Sequence, residues 1–335
     1  MNRYHTGYYL TFNEDSFTPD EYSRELIENS RLILVESNYV GKDWKIEWLF
    51  NNKWKGLEFI INAESFEIAQ NVLYYVLCSA AVINGTNTWN YDAHYAHKLG
   101  TIENVKGIDL INKPVNMYSD GFIPSYFYLA ALASKDNRLA NSIVKYQLST
   151  EIYSQQDMDL NGVINWKTTD FNFIQMRFAY AIITAYSVLE ELGLAINVDV
   201  SKERRSKYDN GNWNPEVLDD LIKRLEDSNI DVKDDISWMI RGESTEIEKK
   251  RPIKTTREAE WASPEDDMDD LYMKVKDGYV YLPDAIHHIS YLRSCIASHS
   301  VGEKIMNLSV FDVANAQFLA KRLILEKTGL WNRYK

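Results

Sequence analysis

The sequence predicts an α+β protein of two domains: a small N-terminal domain mixing a β-sheet with helices over residues 1–160, then an all-α helical bundle over residues 161–335. Three observations carry this expectation. Short runs rich in Ile, Val, Trp and Phe lie between Arg31 and Ile61, separated by turn residues. Beyond them, apolar residues recur every three or four positions through long stretches. The chain has 335 residues, 45% of them hydrophobic and 13% aromatic, which suffices for a sizeable core and suits two domains better than one.

The expected strands run from Arg31 to Glu36, Trp44 to Phe50 and Leu57 to Ile61, with turns at Asn38-Tyr39-Val40-Gly41 and Asn51-Asn52-Lys53. Connections this short favour an antiparallel sheet. After Asn62-Ala63-Glu64-Ser65 a helix is expected from Phe66 to Ile83, because Ile68, Val72, Tyr75, Val76 and Ser79 share helical spacing and Asn84-Gly85 supplies a stop. The stretch from Asn84 to Asp120 reads as irregular. Helical patterning returns from Pro124 to Tyr153, broken near Lys135-Asp136-Asn137, and the domain boundary is expected between Ser154 and Asp170.

That boundary contains Asp157-Met158-Asp159-Leu160-Asn161-Gly162, which matches the opening of a calcium-binding EF-hand loop. Oxygen ligands fall at loop positions 1, 3 and 5 and glycine at 6, but Thr168 stands where a bidentate glutamate belongs. A turn linking two domains is the favoured reading of Asp157–Gly162, with weak calcium binding as the alternative.

In the second half, Ile174 to Leu194 forms the strongest helical pattern in the chain and ends in the acids Glu190 and Glu191. A second helix spans Asp284 to Ser298, with Ile286, Ile289, Leu292 and Ile296 on one face. Gly302 reads as its stop, and Ser309 as the N-cap of a third helix running through Val313 and Leu319 to Leu325. These helices are expected to pack together on Phe178, Ile182, Leu189, Leu292, Ile296 and Leu319.

The second of them carries Arg293 and, six residues on, His299. An always-charged guanidinium clamps phosphate in a planar fork, and an imidazole moves protons near neutral pH; together they are the minimum for cleaving RNA without a metal. On a regular helix six steps of about 100° leave the two side chains about 120° apart. Either the helix ends near His299, or a second copy of the chain completes the site.

These elements resemble the HEPN superfamily, whose pattern is a helix ending in LE-x-L and a later helix carrying R-x(4–6)-H. Here they are Leu189-Glu190-Glu191-Leu192 and Arg293 to His299, and the resemblance covers residues 171–330. It implies Arg293 and His299 as the active pair, with Glu190 or Glu191 as a supporting acid. Many members place asparagine or another strongly polar group after the arginine; Ser294, a smaller hydroxyl, stands here and would take a supporting place on the phosphate. The resemblance further implies toxin-like or antiviral growth arrest, with the N-terminal domain as sensor or regulator.

The net charge of −12 argues against a generally adhesive nucleic-acid binder. From Val280 to Lys335, however, seven basic residues face four acidic ones, a local excess of +3. Seven acids between Glu258 and Asp270 surround Pro264 and read as a solvated loop, with masking of the basic region as the alternative. Cys78 and Cys295 sit in apolar helical contexts as packed thiols, and neither secretion nor membrane insertion is expected, so a cytoplasmic protein is anticipated. His94 and His97 have no third ligand at convincing spacing, and no metal or cofactor is expected. His287 or His288 could reach the Arg293 pocket. Tyr74, Tyr75, Tyr126 and Tyr128 could stack on bases but at helical spacing more often fill a core.

The expectation is therefore a metal-independent endoribonuclease, acting on RNA as a homodimer and subject to a protein regulator, that leaves 2′,3′-cyclic phosphate ends. The alternative is a catalytically silent helical module that dimerises or binds RNA or protein.

Overall fold

The computed structural model describes residues 1–11, 39–51, 56–85, 97–98, 123–153, 171–196, 206–207, 211–241, 255–258, 275–297 and 308–331. The class is α+β. Two compact units divide the chain: one comprises Met1–Asn84 with Thr88–Ile143, the other Gly85–Asn87 with Val144–Lys335. The expected boundary between Ser154 and Asp170 lies outside the described residues, as do the Asp157–Gly162 motif and the strand expected from Arg31 to Glu36.

The first unit holds strands β1 (Asn2–Thr11), β2 (Tyr39–Val40), β3 (Trp44–Asn51), β4 (Gly56–Ala63) and β5 (His97–Lys98), in the order β2-β3-β4-β1-β5 with every neighbour antiparallel. Alternation explains β3: Trp44 and Ile46 are buried, while Lys45 and Glu47 turn the other way, where Arg3 and Lys45 both pair with Glu47 at 3.3 and 3.2 Å. The first expected turn shifts by three residues, since Tyr39 and Val40 already pair with β3. Gly41 starts the turn, and a Cβ there would stand 1.9 Å from the Trp44 indole, so no side chain fits. β1 is not foreshadowed by any periodic pattern, because Asn2 to Thr11 is polar and its pairing with β4 shifts register between His5 and Tyr9.

Helix α1 (Phe66–Asn84) begins where the Ser65 hydroxyl accepts from the Ile68 amide, and ends at Gly85, whose φ of +76° suits glycine. Among the described residues it is the one helix with the length and apolar composition of a membrane span, and it is mostly buried within the protein. Helices α2 (Ile123–Ala133) and α3 (Asn137–Ile152) are separated where expected, because the Asp136 carboxylate accepts from the Arg138 and Leu139 amides and caps α3. The two units meet in sequence within α3, between Ile143 and Val144.

The second unit is built on α4 (Phe171–Leu192), α5 (Pro215–Asp227), α6 (Leu282–Tyr291) and α7 (Val310–Lys327). Ile174, Phe178, Ile182, Ala185 and Leu189 form one buried stripe of α4, at spacings that keep them on one helix face. Leu292 and Leu319 are fully buried as well, as the periodicity required; the Ile296 side chain lies outside the described set. Ser309 caps α7 in a capping box: its hydroxyl accepts from the Asp312 amide, and the Asp312 carboxylate accepts from the Ser309 amide at 2.8 Å. Gly302, the expected stop, lies outside the described residues.

The expectation of an all-α second half is corrected by β6 (Ile236–Arg241), β7 (Thr255–Glu258) and β8 (Val275–Val280), which form an antiparallel sheet in the order β6-β8-β7. Strands of four to six residues carry little periodic signal beside a 22-residue helix, yet Ile236 and Trp238 alternate into the core as a half-buried strand should. The sheet matters for the site, since β8 runs through Tyr281 directly into α6. Asn315 of α7 donates to the Met239 carbonyl at 3.0 Å and accepts from its amide at 2.9 Å, closing the outer edge of β6.

Candidate functional site

Arg293 stands just past the end of α6, where the helix does not stop but widens. Leu292–Ala297 is a π-helical segment, entered at Leu292, whose amide is shared between the carbonyls of His288 and Ile289. π turns are rare and recur at functional positions because the widened backbone re-aims the side chains that follow. Leu292 anchors this turn in the core with no exposure, and Arg293, the next residue, reaches toward solvent with 39% of its side chain exposed.

Two residues of α4 meet it there. Glu190 accepts a hydrogen bond from Arg293 Nη2 at 3.2 Å, and the Tyr186 ring lies beneath the guanidinium, its centroid 5.6 Å from Cζ. Tyr186 and Glu190 are four apart on α4, hence one turn apart on the same face. The Tyr186 hydroxyl and the Ser290 hydroxyl lie 3.2 Å apart in a hydrogen bond, and Ser290 precedes Arg293 by one turn of α6. Burial raises the Tyr186 phenol above its ordinary range, and the nearby Glu190 carboxylate adds to the effect, so the phenol stays neutral at physiological pH.

The ion pair itself is weak in energy. Its partners are 39% and 42% exposed, and solvent-screened pairs of this kind contribute about 0–1 kcal/mol. A phosphate can therefore share or displace Glu190 at little cost, and among the described residues Glu190 and Tyr186 are the groups that hold the guanidinium.

Of the two acids at the end of α4, the structure brings Glu190 to Arg293; Glu191 binds Lys145 of α3 at 2.6 Å. Adjacent helical residues diverge by about 100°, so they could not share one partner easily. Ser294 is exposed beside Arg293. His299 lies outside the described residues, six positions beyond Arg293. Tyr186 and Ser290 are not foreseen from the sequence, although the i,i+4 pairing of an aromatic with the acid of the LE-x-L element is the signal that could have found the first of them.

The neighbouring histidines belong to other surroundings. His288 is buried with its ring edge-on to Trp238 at 5.9 Å, and burial, with the His287 and Lys207 charges adding, pushes its pKa down to about 3. It is neutral in the fold. His287 Nε2 meets the Ser206 hydroxyl at 2.9 Å and its ring packs on Trp213, beside Asp284, which accepts from Lys207 and from the Trp213 indole at 2.6 and 2.7 Å. This cluster ties Ser206, Lys207 and Trp213 to the first turns of α6.

The local positive excess is also redistributed. Arg322 is 1% exposed and bound to Glu326 at 2.8 Å and to the Asp234 carbonyl at 2.6 Å, while burial drops Lys321 to about 8. Neither offers an ordinary surface cation. In the first unit, Tyr126 is buried and donates to Asn84 at 2.7 Å, whereas Tyr74 and Tyr128 remain exposed. Cys78 is fully buried among apolar neighbours of α1, as its context implied. His94 lies outside the described residues, and among those described no group of His, Cys, Asp and Glu is placed to hold a metal ion.

No family model, curated protein or solved structure matches the chain. Function is therefore read from the Arg293 constellation and from the sequence pattern around it.

Proposed function

We propose that the second unit is a metal-independent endoribonuclease of the HEPN type, cytoplasmic and acting as a homodimer, with Arg293 and His299 as its active pair. The observation that carries this reading is the half-exposed Arg293 guanidinium at an α-to-π transition, held by Glu190 of the LE-x-L element and supported on Tyr186. His299 takes the proton of a ribose 2′-hydroxyl, and the 2′-oxygen attacks the adjacent phosphorus. Arg293 stabilises the charge on the pentacoordinate phosphorane. The bond to the 5′-oxygen breaks, that oxygen takes up a proton, and the other fragment ends in a 2′,3′-cyclic phosphate. Glu190 balances the charge of Arg293 as the supporting acid, Glu191 serves α4 through Lys145, and Ser294 supports a phosphate oxygen. The first unit is the sensor or the docking place of a protein regulator.

The test is incubation of the purified chain with mixed RNA in excess chelator, followed by end-group analysis. Cleavage that persists and leaves cyclic phosphate ends is the expected result; intact RNA overturns the reading.

A second reading draws on the same ion pair. Glu190 neutralises Arg293, the chain carries a net charge of −12, and a silent helical module that dimerises or binds RNA or protein would use the pair as a clasp between α4 and the π-helical segment. On that reading Arg293→Ala lowers the thermal midpoint and there is no nuclease activity to lose.

A further inference from the structure

We infer that Tyr186 is the positioning residue of the Arg293 site, holding the guanidinium through its ring and the helix that carries it through its hydroxyl. This rests on the nuclease reading for its role in turnover, and on geometry alone for its role in holding the side chain. The geometry is two pairs facing each other. Tyr186 and Glu190 are one turn apart on α4; Ser290 and Arg293 are one turn apart across the end of α6. The Tyr186 hydroxyl bonds Ser290 at 3.2 Å, its ring centroid lies 5.6 Å from Arg293 Cζ, and Glu190 takes one guanidinium N–H at 3.2 Å.

The division of labour follows from burial. Glu190 is 42% exposed on its side chain and its pairing is screened by water, so it cannot by itself fix a long side chain that sheds rotamer freedom on binding. Tyr186 is 4% exposed, so its ring is held by the core and presents a fixed π-face to the cation. The attraction of the ring face also restrains where the guanidinium lies, leaving N–H groups that Glu190 does not take to meet phosphate oxygens. The hydroxyl bond adds a second point of attachment one turn before Arg293, just ahead of the place where the helix widens into the π turn. Glu190 supplies charge balance; Tyr186 supplies direction.

The test uses the full chain with Tyr186 replaced by phenylalanine and by phenylalanine carrying one, two and three ring fluorines, which keep the ring's shape while draining its π-face. Two quantities are read: steady-state RNA cleavage in chelator, and the Nε–Hε resonance of Arg293, assigned by its loss in Arg293→Ala. Tyr186→Phe keeps the ring but loses the bond to Ser290, so kcat is expected to fall by roughly three- to tenfold, and a Tyr186→Phe chain as active as the wild type removes the hydroxyl from the inference. Across the fluorine series kcat should fall stepwise by roughly three- to tenfold with KM nearly constant, as the cation–π attraction weakens. Tyr186→Leu should lose about a hundredfold in kcat, the scale of a misplaced catalytic group, and should move the Hε resonance to the position of a free arginine. A Hε resonance that stays put in Tyr186→Leu and across the fluorine series overturns the inference. If the wild-type chain cleaves no RNA, the nuclease reading fails on its own, and the resonance still decides whether Tyr186 holds Arg293. If Tyr186→Leu does not fold, the fluorine series, which preserves volume, decides the matter.

Discussion

Acid should destabilise the second unit through His288, and the size of the effect can be worked from its surroundings. The imidazole is buried against Trp238, and burial holds its pKa at about 3, against 6.5 for an unperturbed histidine. Above pH 6.5 the ring is neutral in folded and unfolded chains alike, so the fold loses nothing. Between pH 6.5 and 3 the unfolded chain gains a proton that the folded one refuses, and stability falls as pH falls. Each pH unit across that window costs about 1.4 kcal/mol, giving about 2 kcal/mol at pH 5 and an upper bound of about 5 kcal/mol once the folded pKa is passed. His288→Phe keeps an aromatic edge for Trp238 and removes the titration. The measurement is urea unfolding of wild type and His288→Phe at several values between pH 7.5 and 4.5. Carboxylates titrate equally in both proteins and cancel in the difference, so the wild type should lose stability relative to the variant with the stated slope. Parallel pH profiles would refute this account, because they would mean that the ring takes up its proton as readily in the fold as out of it.

Leu292→Asp should unfold the second unit, or lower its thermal midpoint by about 10–20 °C, because a buried leucine is worth about 3–5 kcal/mol and an unpaired carboxylate adds to the loss; calorimetry reads this, and an unchanged midpoint would place that face in solvent. His299→Ala and Arg293→Ala should each abolish RNA cleavage and any growth inhibition on overexpression while leaving the fold intact, and Arg293→Lys should recover little, since an ammonium lacks the two-pronged grip. A folded His299→Ala protein that cuts RNA at the wild-type rate ends the proposed mechanism. Sedimentation should find a homodimer at micromolar concentration, two copies bringing two Arg293 and His299 pairs to one cleft; active monomers would remove that arrangement.

What the sequence determined by itself was local. The stripe from Ile174 to Leu189 set α4, the Asp136 side chain broke α2 from α3, Ser65 and Ser309 started helices, and Gly85 ended one, because periodicity, caps and positive φ involve residues within a turn of one another. The arginine and the acids were legible as a candidate site for the same reason: each sits in a short motif. Short strands were less so, since six residues of Ile236-Ser237-Trp238-Met239-Ile240-Arg241 become a strand only through partners on β8 some forty positions away. Tertiary structure alone chose Glu190 over Glu191. Burying Phe178, Ile182, Ala185 and Leu189 fixes the rotation of α4 about its axis, and that rotation sends one acid to Arg293 and its neighbour to Lys145. It also placed Tyr186 and Ser290, 104 residues apart, in one hydrogen bond, and it withdrew Arg322 from the surface charge counted along the chain. Charge and periodicity are properties of residues in a line, whereas which cation meets phosphate depends on which side chains the core leaves outside.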